Sequence, residues 1–220
     1  SGVGKTQVEM AAALKAGIFC FNVESEPELA QLSAVASSLG LTAPISIRVN
    51  PDVDAGTHAK ISTGKSENKF GIPISRARAV YAHAATLPGL AISGVDMHIG
   101  SQIRDIEPLE RAFARIGELI RILRNAGHRI TQVDLGGGLG IAYATDDIAP
   151  TPGDYADMVG RVTAGWNVGL TFEPGRVLVG AAGVLLTRVI WVKPGVTIPY
   201  VIVDAAMNDL ARPAMYDAYH

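Results

Sequence analysis

Apolar positions along this chain alternate between helical spacing and short continuous runs, and the alternation repeats. Thr6 and Glu9 read as a capping box, Met10, Ala13 and Leu14 follow at helical intervals, and Gly17 stops the helix. Ile18 to Val23 is a short apolar run. Ser25 and Glu28 read as a second capping box, opening a helix with Leu29, Leu32, Ala36 and Leu39 on one face and Gly40 as its stop. Ile45 to Asn50 reads as a strand, Ser75 to about Thr86 as a helix, and Ile92 to His98 as a strand. Glu107 to Ala126 carries the clearest amphipathic pattern, with Leu109, Phe113, Ile116, Ile120 and Leu123 on one face. Acids stand at its start and Arg121 and Arg124 at its end, the order that the helix dipole favours. Thr131 to Leu135, a helix from about Asp154 to Ala164, and Gly169 to Phe172 complete the series.

Strand–helix alternation repeated about five times predicts parallel strands with helices outside. The polar stretch 51–73 is too long for an ordinary connection and reads as a functional loop. Past Arg176 the pattern changes to β-rich runs, Val184 to Val192 and Tyr200 to Val203, separated by Pro194-Gly195. A domain boundary is therefore expected between Arg176 and Gly183, with a β-domain beginning after it.

Composition narrows the classes. The chain has 220 residues, 48% hydrophobic and 18% charged, and a net charge of −2. That excludes disorder driven by charge and gives no electrostatic case for nucleic acid. The single cysteine, Cys20, excludes a disulfide framework or multi-cysteine zinc site and is expected in the core. Val177 to Thr187, the longest uncharged apolar run, is well short of the roughly 20 residues of a membrane helix. No metal site is expected. Ser1 is not Met and stands inside an apparent motif, so the chain reads as a fragment cut at both ends.

Polar residues end the apolar strands: Asn22 and Glu24, Arg48 and Asn50, Asp96 and His98, Asp134, then Glu173 and Arg176. In a parallel sheet these ends share one face, where sites form. The run Gly136-Gly-Gly-Leu-Gly140 suits close approach of backbone N–H groups to an anion. Its spacing fails the dinucleotide fingerprint, because Ile141 and Tyr143 stand where glycine is needed. Glu173-Pro-Gly-Arg176 sets an acid and a base on either side of a rigid turn, where Glu173 could hold a protonated ring nitrogen and Arg176 a phosphate or carboxylate; a surface ion pair is the plainer alternative. Arg212 and Tyr216, four apart, could bind a carboxylate. Ser1-Gly-Val-Gly-Lys-Thr6 imitates a P-loop tail, with Val201-Ile-Val-Asp204 as its acidic strand. Nearly 200 residues and a change of domain character separate the two.

Together these stretches resemble the diaminopimelate branch of the pyridoxal-phosphate decarboxylases with an alanine-racemase-like barrel. The resemblance rests on Phe21 to Leu29, Arg48 to His58, Ile61 to Gly64, Asn68 to Ile72, His98-Ile-Gly-Ser-Gln102, Asp134 to Gly140, Glu173-Pro-Gly-Arg176 and Met207 to His220. It implies an α/β fold: a (β/α)8 TIM barrel, N-terminally truncated, over residues 1–180, and the start of a β-domain over 181–220. It implies decarboxylation of meso-2,6-diaminopimelate to L-lysine and CO2 with pyridoxal 5'-phosphate. His98 would stack on the cofactor ring and Glu173 pair with its nitrogen. Ser101, the amides of Gly136, Gly137 and Gly138, and Arg176 would hold the phosphate, within a site that includes Pro174 and Gly175. Arg176, Arg212 and Tyr216 would meet the substrate. The Schiff-base lysine would lie upstream, since Lys5, Lys15, Lys60, Lys65, Lys69 and Lys193 lack its context. The active-site cysteine would lie beyond His220, and residues 52–72 would form a mobile loop. A cytoplasmic homodimer with its site at the subunit interface is implied, and a truncated barrel is expected to be unstable alone. The alternatives are a decarboxylase of ornithine, arginine or carboxynorspermidine, or a non-catalytic homologue.

Overall fold

The computed structural model describes residues 1–55 and 69–219. Strands β1 (Phe21–Val23), β2 (Ala43–Asn50), β4 (Leu90–Asp96), β5 (Gln132–Asp134) and β6 (Gly169–Thr171) lie side by side in that order, all parallel, with the two-residue β3 (Ile72–Pro73) paired to the end of β2. Helices α1 (Gln7–Ala16), α2 (Glu26–Leu39), α3 (Ile74–Ala84), α4 (Glu107–Asn125) and α5 (Pro152–Val162) alternate with them. Strand order follows chain order without reversal. This is the winding of a βα barrel and not of a doubly wound sheet.

Side chains show that the sheet is rolled. β1 and β5 are three positions apart, which in a flat sheet is about 14 Å. Yet Asn22 Nδ2 donates to Asp134 Oδ2 at 3.1 Å. The core fills the space between sheet and helices: Ile45, Ile47, Val95 and Val133 from the strands meet Leu29, Leu32, Leu109, Phe113, Ile116 and Leu123 from α2 and α4.

The expected helix signals hold with one exception. Thr6 and Glu9 complete the first capping box, with Glu9 Oε2 accepting from Thr6 N at 2.8 Å. At α2 only half of the second box forms. Ser25 accepts from Glu28 N, but the Glu28 carboxylate turns away to Lys5 at 2.6 Å and to Glu24 N at 2.9 Å. That choice also explains Lys5, whose ammonium donates to Gly2 O, Asn22 O and Glu28 Oε1. All three of its protons are used within the protein, so the P-loop resemblance is accidental. At the other end of α4, Arg124 binds the carbonyls of Ile130, Trp166 and Asn167, tying the helix to the segments entering β5 and β6.

Cys20 is half-buried and not a core residue; its thiol lies 3.3 Å from Ser46 Oγ. Past β6, a short α6 (Arg176–Val179) precedes an antiparallel pair, β7 (Val189–Lys193) and β8 (Tyr200–Val203), and then α7 (Arg212–Tyr216). The β-run expected from Val184 begins only at Val189, where pairing with Val203 starts. Most of the expected 52–72 loop falls on residues 56–68, outside the described residues. No described helix is long and apolar enough to cross a membrane.

Candidate active site

The strand ends gather their polar residues on one face, and hydrogen bonds join several of them. Arg48, from the C-terminal half of β2, reaches both carboxylate oxygens of Glu24, just past β1, at 3.1 Å. Both side chains are buried. Asp134 ends β5. It accepts from Asn22 and, through Oδ1, from Gly136 N at 2.8 Å. Asp96 ends β4 in register with Arg48 and Asp134. Glu173, two residues past β6, accepts from Ser1 Oγ at 2.8 Å, and its backbone N–H donates to Gly136 O at 2.8 Å. Among the described residues no ion pair joins Glu173 to Arg176, so the plainer reading of that motif does not hold.

Acids outnumber bases on this face, and their titration shows it. Burial pushes the Asp96 carboxyl well above the ordinary carboxylate range, and the Asp134, Glu173 and Glu24 charges add to that against Arg48. Its Oδ1 is buried without a hydrogen-bond partner among the described residues. Burial likewise raises Asp134, opposed by the Gly136 amide. His98 shifts the other way. Burial and then the Arg48 charge lower it, and its Nδ1 accepts from Gly137 N at 3.2 Å. An imidazole accepting at Nδ1 is neutral, with its proton on Nε2.

The glycine run also has a packing role. Gly136 has φ +63°, and a side chain there would strike the Met97 carbonyl. At Gly137 and Gly138 a side chain would strike the carbonyls of Glu173 and Gly100. These residues are glycine because β4, β5 and the Glu173 turn close upon one another. The amides of Gly136 and Gly137 are engaged by Asp134 and His98. Of the three amides expected to meet a phosphate, those of Gly136 and Gly137 thus also have partners within the protein. Gly138 O accepts from Ile103 N at 2.9 Å, which brings the half-buried Ser101 loop alongside. Pro174 and Gly175 lead into α6, whose first residue is Arg176.

Arg176 and Arg212 come together on a residue that the sequence pattern did not mark. Arg176 Nη1 donates to the Tyr143 hydroxyl at 2.7 Å, and the Arg212 guanidinium lies 4.7 Å from the centre of the same ring. Tyr216 sits one turn beyond Arg212 on α7, half-buried. Arg176 Nε is buried with no hydrogen-bond partner among the described residues. Only spatial proximity marks Tyr143, which stands 33 residues from Arg176. The described residues contain no cluster of His, Cys, Asp and Glu fit to hold a metal.

A rolled parallel sheet with acids, a neutral imidazole and a glycine turn at its strand ends defines the class. The family model described as pyridoxal-dependent decarboxylase, pyridoxal binding domain, matches residues 1–180, and the chain belongs to that family. Within it the chain is 53% identical over 221 residues to the diaminopimelate decarboxylase of Zymomonas mobilis, covering 100% of this chain and 52% of that protein. It is 53% identical over 219 residues to that of Pseudomonas aeruginosa, covering 100% and 52%. The Helicobacter pylori diaminopimelate decarboxylase solved with L-lysine superposes with TM-score 0.94 at 40% identity, covering 100% of this chain and 55% of that one. The arginine decarboxylase of Paramecium bursaria Chlorella virus shares the fold, with TM-score 0.80 at 22% identity over 98% of this chain and 55% of that one. The chain thus spans about half the length of the curated relatives it matches.

Proposed function

We propose that the protein is a carboxy-lyase that uses pyridoxal phosphate to convert meso-2,6-diaminopimelate to L-lysine and CO2, working as a cytoplasmic homodimer. The observation that carries this is the convergence of Arg176 and Arg212 on Tyr143, beside the acid-rich strand-end face. Two guanidinium groups suit a substrate whose far end bears a carboxylate. Ornithine and arginine carry a cationic far end, which would call for an acid there.

The residues present fit the cofactor. The excess of carboxylates suits a protonated pyridine nitrogen, and the orphaned Arg176 Nε suits an anionic oxygen. When bound, pyridoxal phosphate supplies an electron sink for the pair left on the α-carbon as CO2 departs. Glu173 would hold the proton on the ring nitrogen. Neutral His98 would stack on the ring face, where a cation would oppose that proton. Ser101, the Gly136–Gly138 turn and Arg176 would hold the phosphate, with Pro174 and Gly175 shaping the turn. Arg212 and Tyr216 would read the far amino-acid end of the substrate.

The test is CO2 release by the full-length protein from meso-2,6-diaminopimelate, ornithine and arginine in parallel. A preference of at least tenfold in kcat/KM for diaminopimelate is expected. Preference for ornithine or arginine would move the assignment to that branch. Stoichiometric cofactor binding without release from any of the three would make the protein a non-catalytic homologue.

A further inference from the structure

Tyr143 has no role in the reaction described above, yet it is the meeting point of both arginines. The two guanidinium groups engage it unequally. Arg176 binds the phenolic oxygen at 2.7 Å. Arg212 lies over the ring at 4.7 Å from its centre, within cation–π range. Two like charges repel at this separation from one ring, so something must hold them there. The oxygen holds Arg176, whose guanidinium also lies 5.9 Å from the ring centre, and the π-face holds Arg212.

The loop that carries Tyr143 is itself fixed from two sides. Asp147 Oδ2 accepts from Tyr143 N at 3.0 Å and Ala144 N at 3.2 Å, and Arg104 secures its other oxygen at 2.8 Å. The Gln102 side-chain amide makes a pair of bonds with Ile141, donating to its carbonyl at 2.6 Å and accepting from its N–H at 3.2 Å. Tyr143 is thus anchored through its own backbone before any ligand arrives, and it can impose its position on two long, flexible side chains.

We propose that Tyr143 is a positioning residue that joins Arg176 and Arg212 into one clamp for the substrate carboxylate that survives the reaction. The proposal rests on the diaminopimelate reading for the identity of that carboxylate. Decarboxylation breaks the bond between one α-carbon and its carboxylate carbon. That carbon leaves as CO2, and the α-carbon takes up a proton. The other carboxylate is retained in L-lysine. A clamp on it grips substrate and product alike, and has no hold on 1,5-diaminopentane, which carries no carboxylate.

The experiment compares the full-length, cofactor-loaded wild type with Tyr143→Phe and Tyr143→Leu. The readouts are kcat and KM for meso-2,6-diaminopimelate, the Kd of L-lysine by calorimetry, and the inhibition constant of 1,5-diaminopentane. Tyr143→Phe keeps the ring and loses the hydroxyl, and KM and the lysine Kd should rise about 3- to 10-fold. Tyr143→Leu loses both, and the rise should be about 10- to 100-fold. In both variants kcat should stay within about threefold and diaminopentane inhibition within about twofold. Unchanged lysine affinity in a folded Tyr143→Leu would overturn the proposal, as would equal weakening of lysine and diaminopentane. If Tyr143→Leu does not fold, Tyr143→Phe decides on the same readouts. A wild type that neither turns over diaminopimelate nor binds lysine defeats the parent reading and this one with it. A wild type that does both, with variants indifferent to lysine, defeats this one alone.

Discussion

Arg48 and Glu24 show how single residues hold the strand-end face. Both are buried, and the guanidinium reaches both carboxylate oxygens. Removing one partner strands a charge in a dry interior, so Arg48→Ala should cost about 3–5 kcal/mol, measured by urea unfolding of the full-length protein. Glu173 is exposed here and has no charged partner among the described residues, so its loss should spare the fold. Glu173→Ala should lower kcat roughly 10²–10³-fold, while cofactor stoichiometry, read by absorbance, stays near that of the wild type. A kcat within about threefold of the wild type would remove Glu173 from the chemistry. Arg212→Ala should act on binding: a charged hydrogen bond of about 1.5–3 kcal/mol corresponds to a rise in KM of roughly 10- to 100-fold. An unchanged KM would take Arg212 out of the substrate site. Polar residues such as Asp96, Asp134 and Glu173 were legible because each interrupts or ends an apolar run. Tyr143 was not, because a tyrosine in a loop carries no periodic signal and its partners are distant in sequence.

At the scale of elements, the close approach of β4, β5 and the Glu173 turn depends on glycine. Gly136→Ala would force a left-handed φ of +63° on a residue with a Cβ and drive that Cβ into the Met97 carbonyl. The strain alone is about 1–2 kcal/mol, and the strand-end face moves with it. Lower thermal stability and loss of cofactor binding together are the expected result; normal values of both would show that the turn can relax. The helices were read well because caps and stop glycines are local. α2 shows the limit. Glu28 stands at the right spacing for a capping box, but a half-buried lysine from before α1 offers it a better bond. Local rules rank local partners only. The same holds for the glycine run, where spacing suggested amides free for an anion and packing had already directed two of them to Asp134 and His98.

For the molecule as a whole, the strand-end face makes stability depend on pH from two directions. His98 has a lowered folded pKa, so the unfolded chain takes up that proton first, and stability falls as pH drops through the ordinary value of 6.5. Asp96 has a raised folded pKa. The folded state keeps its proton where the unfolded chain has lost it, so its contribution falls as pH rises from the ordinary 3.8 toward the raised value. Asp96→Asn removes the second effect. Its stability relative to the wild type should increase between about pH 4 and about pH 7 in parallel urea melts. A difference that stays flat over that range would mean that Asp96 is ionised in the folded protein.

What the sequence determined by itself was the repeating order of strands and helices, the face on which the polar strand ends gather, and the family resemblance that those residues carry. These follow from periodicity and from contacts between near neighbours in the chain. Periodicity gave no roll of the sheet, which the resemblance implied and the tertiary structure shows in the bond between Asn22 and Asp134. Tertiary structure alone decided the partner of Glu28, the destination of the glycine amides, and the meeting of Arg176 and Arg212 on Tyr143. Each of these joins groups far apart in sequence. A hydrogen bond or a ring contact acts over a few ångströms of space, and no spacing along the chain encodes it.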